Sequence, residues 1–322
     1  MGKRIIVTGA AGFIGRNVLK ELNQRGYANI LLVDSLGVHE KWKNLLGLRF
    51  DDIISPVEFL EIVKSGKSMD ADACIHLGAC SDTTQHDADY LLENNFHYTV
   101  SLCKWSLSHN MRFVYASSAA TYGDGSLGYS DSDEATQKLR PLNMYGYSKH
   151  MFDLWALKND LFNTITGLKY FNVYGPYEDH KGDMRSLVQK SYNKVKTLGY
   201  IELFKSYHDA FKDGEQKRDF IYIRDAVNVT LYFALESNAG GLFNCGTGHA
   251  RTWLDLAHAV FDSMGRSPDV RFIEMPDVLR DKYQYFTQAD TAKLIGAGYN
   301  KPFTSLSDGV DDYVKSYLET VS

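Results

Sequence analysis

The chain has little cysteine: Cys74, Cys80, Cys103 and Cys245 are all there is in 322 residues. No two of them form a C-x-x-C pair, and their neighbours are apolar or strand-like. They read as buried free thiols of a reducing compartment, which excludes a disulfide framework. Metal-ligand spacing is absent, so no metal is expected. No long apolar run occurs and the N-terminal stretch has no cleavage-site pattern. A membrane span and a signal peptide are therefore not expected, and the chain is placed in the cytoplasm. Lys and Arg number 35 against 40 Asp and Glu, a net charge of −5. No basic block stands out, which argues against nucleic acid as a partner. Internal repeats and low-complexity segments are lacking too. With 44% hydrophobic and 23% charged residues, what remains is a globular chain long enough for two domains, or for one large lobe with an insertion.

Short β-branched runs alternate with amphipathic stretches. Strands are predicted at 4–9, 30–34, 73–78, 112–118 and 164–173, with helices at 14–26, 87–109 and 143–160. That order implies right-handed βαβ crossovers and a parallel sheet covered on both faces. After about residue 175 the alternation loosens. A helix is predicted over 184–198, a short apolar segment follows at 201–204, and a strand is predicted at 220–223. The connector KSYHDAFKDGEQKRD (205–219) is the most polar in the chain. The resulting fold class is α/β: a Rossmann-like doubly wound parallel sheet with a smaller mixed α/β lobe for substrate. The division expected is 1–172 plus about 225–248 for the dinucleotide lobe, and about 173–224 plus 249–322 for the substrate lobe.

The first strand runs into Gly9-Ala-Ala-Gly12-Phe-Ile-Gly15 and then a helix. Glycines let the backbone turn tightly and approach a pyrophosphate, and a helix N-terminus supplies oriented N–H groups. Asp34 ends the second strand, where a carboxylate accepts from an adenosine ribose and favours NAD. Lys41 and Lys43 follow closely and could bind a 2′-phosphate instead. On this chemistry NAD and NADP both stay open.

Ser117 and Ser118 close the 112–118 strand, and Tyr145-Gly-Tyr-Ser-Lys149 opens the next helix. Tyr and Lys at i and i+4 share a helix face. An ammonium there is expected to pull the tyrosine pKa down, fitting Tyr145 for general acid/base work. Lysine can also hold a nicotinamide ribose, while a serine hydroxyl orients the substrate oxygen. Further on, YFNVYGPYEDHKGDM (170–184) reads as a strand breaking into a polar loop that carries His180 and Lys181. By spacing alone, Lys181 is a solvated ion-pair partner.

The combination of TGAAGFIG, YASSAATYG, YGYSK and YFNVYGP resembles the extended short-chain dehydrogenase/reductases, also known as the NAD-dependent epimerase/dehydratase family, across nearly the whole chain. HLGACSDTT, ENNFHY, GPYEDHKGDM, RDFIYIRD, FNCGTG and YQYFTQAD resemble those members that invert C6 of an ADP-linked heptose for lipopolysaccharide core. The resemblance implies transient oxidation and re-reduction of a nucleotide-sugar. Tyr145 and Lys181 are then the two acid/base residues, Ser118 orients the reacting oxygen, and Lys149 holds the cofactor. It implies NADP, with NAD as the alternative, lined by Phe13, Ile14, Asp34, Ser35, Lys41, Leu77, Gly78, Ala79, Cys80, Ser81, Asn94, Val173 and Lys181. Substrate would meet Asn172, Asp183, Lys190, Phe204, Lys205, Ser206, Tyr207, Arg218 and Tyr283. An Arg suits an anionic diphosphate on its own chemistry. The family forms homo-oligomers, pentamers among them. This chain departs from the pattern at Pro56 (lysine), Leu77 (glutamate), Asp183 (a small hydroxyl residue) and Lys190 (histidine), and its loop before Arg218 is longer.

Three rival readings differ in specific residues. A sugar 4,6-dehydratase needs an Asp-Glu pair after Ser118, where this chain has Ala-Ala-Thr-Tyr. A UDP-hexose 4-epimerase does not require Lys181 as a second base. A non-catalytic, nucleotide-sensing member of the fold loses the Tyr or the Lys, and both are present.

Overall fold

The computed structural model describes residues 4–38, 40–280 and 283–321. Twelve strands are found among them: β1 (Ile5–Thr8), β2 (Ile30–Val33), β3 (Asp52–Ile54), β4 (Ala73–His76), β5 (Arg112–Ser118), β6 (Thr166–Tyr170), β7 (Asn172–Tyr174), β8 (Ile201–Phe204), β9 (Lys217–Tyr222), β10 (Gly241–Cys245), β11 (Ala250–Thr252) and β12 (Val270–Ile273). Seven of them form one sheet in the order β10-β6-β5-β4-β1-β2-β3, every pair parallel. Parallel strands need both faces covered, so β1, β2, β4, β6 and β10 are buried at every position. Alternation then divides the core. Ile5 and Val7 enter one apolar cluster, beside the helix Phe13–Gln24. Ile6 enters the other, beside the helix Met144–Lys158.

The order in which strands are added reverses between β1 and β4. A crevice opens there at the carboxyl ends of the strands, where doubly wound sheets bind ligands. The loops leaving these two strands supply its floor.

Two smaller sheets build the second lobe. In one, β9 pairs β7 in parallel and β11 antiparallel. In the other, β8 pairs β12 in parallel. The sequence pattern predicts one strand over 164–173, but the chain divides it. β6 stays in the central sheet and β7 joins the second lobe. The break is at Phe171, whose N–H donates to Cys245 O at 3.0 Å while its ring enters a third apolar cluster with Ala119, Tyr122, Leu139 and Ala289. The short edge strand β3 has no signal in the pattern, and Pro56 simply opens the helix after it. Strand β4 stops at His76, which frees Leu77–Ser81 to line the crevice. Among the described residues no helix is long and apolar enough to cross a membrane.

Candidate active site

A cavity of about 900 Å³ occupies the crevice and runs on between the lobes. Its floor is the glycine loop. Gly9 has φ +67°, and a Cβ there would stand 2.7 Å from the backbone N of Gly78. At Gly15 a Cβ would meet Gly9 O at 2.1 Å. Bare backbone is therefore required at both points. The helix that follows, Phe13–Gln24, starts from Gly12 with no capping side chain and no acidic residue in its first turn. Its N–H groups are left for an anion.

Asp34 accepts from Ala11 N–H at 2.7 Å, from Ser35 N–H at 2.7 Å and from Lys41 Nζ at 2.5 Å. Lys41 therefore offsets the carboxylate's charge at the edge of the cavity. The wall opposite, Leu77–Ser81, is pinned by Asn95. Its side-chain oxygen accepts from Cys80 N–H at 2.8 Å, and its amide donates to Cys80 O at 2.9 Å and Ser148 Oγ at 3.0 Å. Cys80 is half-buried and lines the cavity, so it departs from the expected pattern of buried thiols; Cys74, Cys103 and Cys245 are buried. Buried His76 sits 2.6 Å from Thr8 Oγ1 and 2.9 Å from Thr99 Oγ1. Burial pushes its pKa down to about 3, so the ring is neutral and ties Thr8 to Thr99.

Ser117, Ser118, Tyr145 and Lys149 line the inner end. Asn143 caps their helix through Gly146 N–H at 2.8 Å, which fixes the turn bearing Tyr145. The phenol shares a hydrogen bond with the Ser118 hydroxyl, and Lys149 Nζ donates to Ala116 O at 2.9 Å. The expected lowering of the Tyr145 pKa is not what the structure gives. Burial raises it, and the Ser118 bond offsets only part of that. The same burial lowers Lys149 to about 8, with Asp153 opposing. Desolvation is therefore the largest influence on both groups.

Lys181 lines the same cavity from the second lobe, with Nζ 5.1 Å from the Phe13 ring centroid and 3.8 Å from Glu178 Oε2. Burial lowers its pKa, Glu178 raises it and Lys190 lowers it again. A lysine with this shift gives up a proton more readily than one on the surface. His180, to which the sequence assigns no role, also lines the cavity, as do Asn172, Val173 and Lys190.

Nine expected contacts lie outside the cavity wall. Ser35 uses its carbonyl to hold Lys41. Asn94 is exposed and bonds Tyr90 O, so Asn95 is the inward-facing neighbour. Asp183 is exposed, its carbonyl accepting from Lys190. Phe204 ends β8. Lys205 and Tyr207 both bond Glu274, and Ser206 N–H bonds Asp213. Arg218 and Tyr283 stand behind Trp253, which does line the cavity. The guanidinium lies 5.5 Å from the Trp253 ring and 5.1 Å from the Tyr283 ring, and Trp253 Nε1 donates to Tyr283 OH at 2.9 Å. The hydrogen bond of Arg218 goes to Lys217 O, and no carboxylate among the described residues pairs with it.

A glycine cradle at the switch point, a Tyr and Lys on one helix face and a second, half-buried lysine define a nucleotide-dependent enzyme of the doubly wound class. The model of the NAD dependent epimerase/dehydratase family matches residues 5–246, and the chain belongs to that family. More particularly, it is 50% identical over 314 residues to ADP-L-glycero-D-manno-heptose-6-epimerase of Nitratidesulfovibrio vulgaris, covering 97% of each chain. It is 47% identical to the Fusobacterium nucleatum protein of the same name, covering 98% of each. The crystal structure of Helicobacter pylori ADP-L-glycero-D-manno-heptose-6-epimerase superposes with a TM-score of 0.83 at 27% identity, over 98% of this chain and 96% of that one.

Proposed function

We infer that the protein is an isomerase that inverts C6 of ADP-D-glycero-D-manno-heptose to give ADP-L-glycero-D-manno-heptose, supplying heptose for lipopolysaccharide core. The observation that carries this reading is that Tyr145 and Lys181 line one cavity from different lobes, in a chain 47–50% identical to proteins of that name. The cofactor is a nicotinamide dinucleotide, and the residues present fit one: Gly9 and Gly15 leave room for its pyrophosphate, and the uncapped helix start faces that room. When bound, it accepts a hydride from the sugar carbon and returns it. We take it to be NADP, because Lys41 neutralises Asp34 and so removes the repulsion a 2′-phosphate would meet. The dinucleotide lobe is taken as 1–172 with about 225–248, since β10 completes the central sheet.

On this reading, Ser118 holds the C6 oxygen and Tyr145 takes its proton as the carbon is oxidised. Lys149 orients the ribose. The ketone turns over in the cavity, presenting its other face, and Lys181 supplies the proton to the oxygen in that orientation. Tyr145 and Lys181 line the cavity from different elements, so each serves the oxygen in one orientation of the sugar. Asn172 and Lys190 meet the nucleotide-sugar, and Arg218, behind Trp253, reaches it once that ring swings aside. Arg218 is the buried cation that an anionic diphosphate would satisfy, its pKa lowered by burial in the meantime.

The test is incubation of the purified protein with NADP and ADP-D-glycero-D-manno-heptose while C6 configuration is followed by NMR. Inversion is expected. No inversion, together with turnover of a UDP-hexose, would overturn the substrate assignment.

A further inference from the structure

Asn44 is nearly buried, at 8% exposure, and its side-chain amide joins two parts of the site. It donates to Ala11 O at 2.8 Å and to His180 Nδ1 at 3.1 Å. Both amide hydrogens are thereby used. Ala11 is held at both of its backbone polar groups, its carbonyl by Asn44 and its N–H by Asp34 at 2.7 Å. Across the turn, the neighbours of His180 are tied to the second lobe. Glu178 accepts from Ser186 N–H at 2.6 Å and Tyr313 OH at 3.1 Å. Asp179 accepts from Gln189 Nε2 at 2.5 Å and Tyr317 OH at 2.5 Å. Lys181 follows directly, its Nζ near the Phe13 ring at the start of the helix after the glycine loop.

We propose that His180 is a positioning residue: through Asn44 it fixes the Lys181 turn to the glycine loop, so that the seat of the nucleotide and the second proton-handling group move as one unit. The inference rests on the functional reading above for what Lys181 does. The hydrogen bond needs a neutral ring with Nδ1 accepting. Lys41 and Lys181 oppose protonation of His180, Asp179 and Asp34 favour it, and burial outweighs them all, so its pKa falls to about 4. Lys181 itself faces Glu178 and Lys190. Opening the His180 contact admits water, and hydration restores the affinity of Lys181 for its proton.

The test uses the full chain as wild type, His180→Ala, Asn44→Leu, the double variant and His180→Gln. Acetylation of Lys181 by acetic anhydride is followed across pH by peptide mass spectrometry, with amide hydrogen exchange over 178–184 alongside. In His180→Ala and in Asn44→Leu the labelling midpoint is expected to rise by about half a pH unit or more, with faster exchange in the turn. The double variant should rise no further than the larger single change. His180→Gln, whose side-chain oxygen can accept the same bond, should stay at the wild-type midpoint. An unchanged midpoint in folded His180→Ala overturns the proposal, as do additive shifts. If Asn44→Leu fails to fold, His180→Ala and His180→Gln decide between the two. No turnover is needed for this readout, so a wild type that fails to invert C6 overturns the functional reading without touching this result.

Discussion

Asp153 and Lys169 form an ion pair 3.0 Å long in which neither side chain is exposed. Asp153 lies one helical turn beyond Lys149 and also accepts from Tyr115 OH at 2.8 Å and Ser117 Oγ at 2.7 Å. Lys169 donates to Thr121 Oγ1 at 2.6 Å and lies 4.9 Å from the Tyr122 ring centroid. The pair therefore joins the helix Met144–Lys158 to β5, to β6 and to the turn after Ser118. Every group that handles the first proton hangs from this clamp. A buried charge is tolerated only when its hydrogen bonds are met, and here three donors converge on one carboxylate.

Removing one partner strands the other. Asp153→Asn or Lys169→Met is expected to cost about 3–5 kcal/mol in urea unfolding. The double variant Asp153→Asn/Lys169→Met removes both charges, so it should cost clearly less than the two single losses added together. A strictly additive double would mean that the two groups do not act as a pair.

Lys149 titrates inside the working range. Its folded value of about 8 lies below its ordinary 10.5. Between the two, the unfolded chain binds more protons, so this group's contribution to stability rises with pH across that window; below about pH 8 its burial cost is felt in full. The ammonium that would hold a ribose is lost on the same climb. NADP affinity, measured by fluorescence titration, is expected to fall above about pH 8. In Lys149→Arg the charge persists, so binding should be weaker overall but flat with pH. A wild-type profile that stays level to pH 10 would rule out the role given to this lysine.

Lys41 tests the choice of nucleotide. If it meets a 2′-phosphate, Lys41→Ala should weaken NADP by about tenfold or more, about 1.4 kcal/mol. NAD should change little, because Asp34 is then free to accept from the ribose. Equal weakening of both cofactors would point to a role for Lys41 in holding Asp34 alone.

The central sheet was readable because buried parallel strands demand continuous apolar runs, as in ILLV at 30–33 and ACIH at 73–76. Gly9, Gly12, Gly15, Tyr145 and Lys149 were readable because their chemistry depends on spacing within one loop or one helix. What escaped depends on contacts between distant segments. Phe171 breaks a strand because of where Cys245 lies. Lys169 looks like any strand lysine until Asp153 is seen against it. Asn44 gives no signal at all, since its partners are 33 and 136 positions away. Asn94 and Asn95 lie where the helix widens into i→i+5 turns over Leu92–His97. A helix face cannot be read to a single residue through such a turn.

Lys181 decides whether inversion uses two proton-handling groups. Its side chain is about three-quarters shielded, and burial already lowers its pKa, so it is suited to exchanging a proton with a sugar oxygen. Lys181→Met keeps the length of the side chain and the packing on Phe13 but removes the amine. Inversion of C6, followed by NMR with the cofactor saturating, is expected to slow by about 10²–10⁴-fold, the usual worth of a positioned acid or base. Affinity for the dinucleotide should fall far less, since Gly9, Gly15 and Lys149 are untouched. The oxidation of C6 that Tyr145 serves should survive as well, visible as transient reduced nicotinamide absorbance when substrate is added. Near-normal inversion in Lys181→Met would leave Tyr145 to serve both faces and would sink the two-group mechanism. Loss of the absorbance transient as well would move Lys181 into the first step instead of the second.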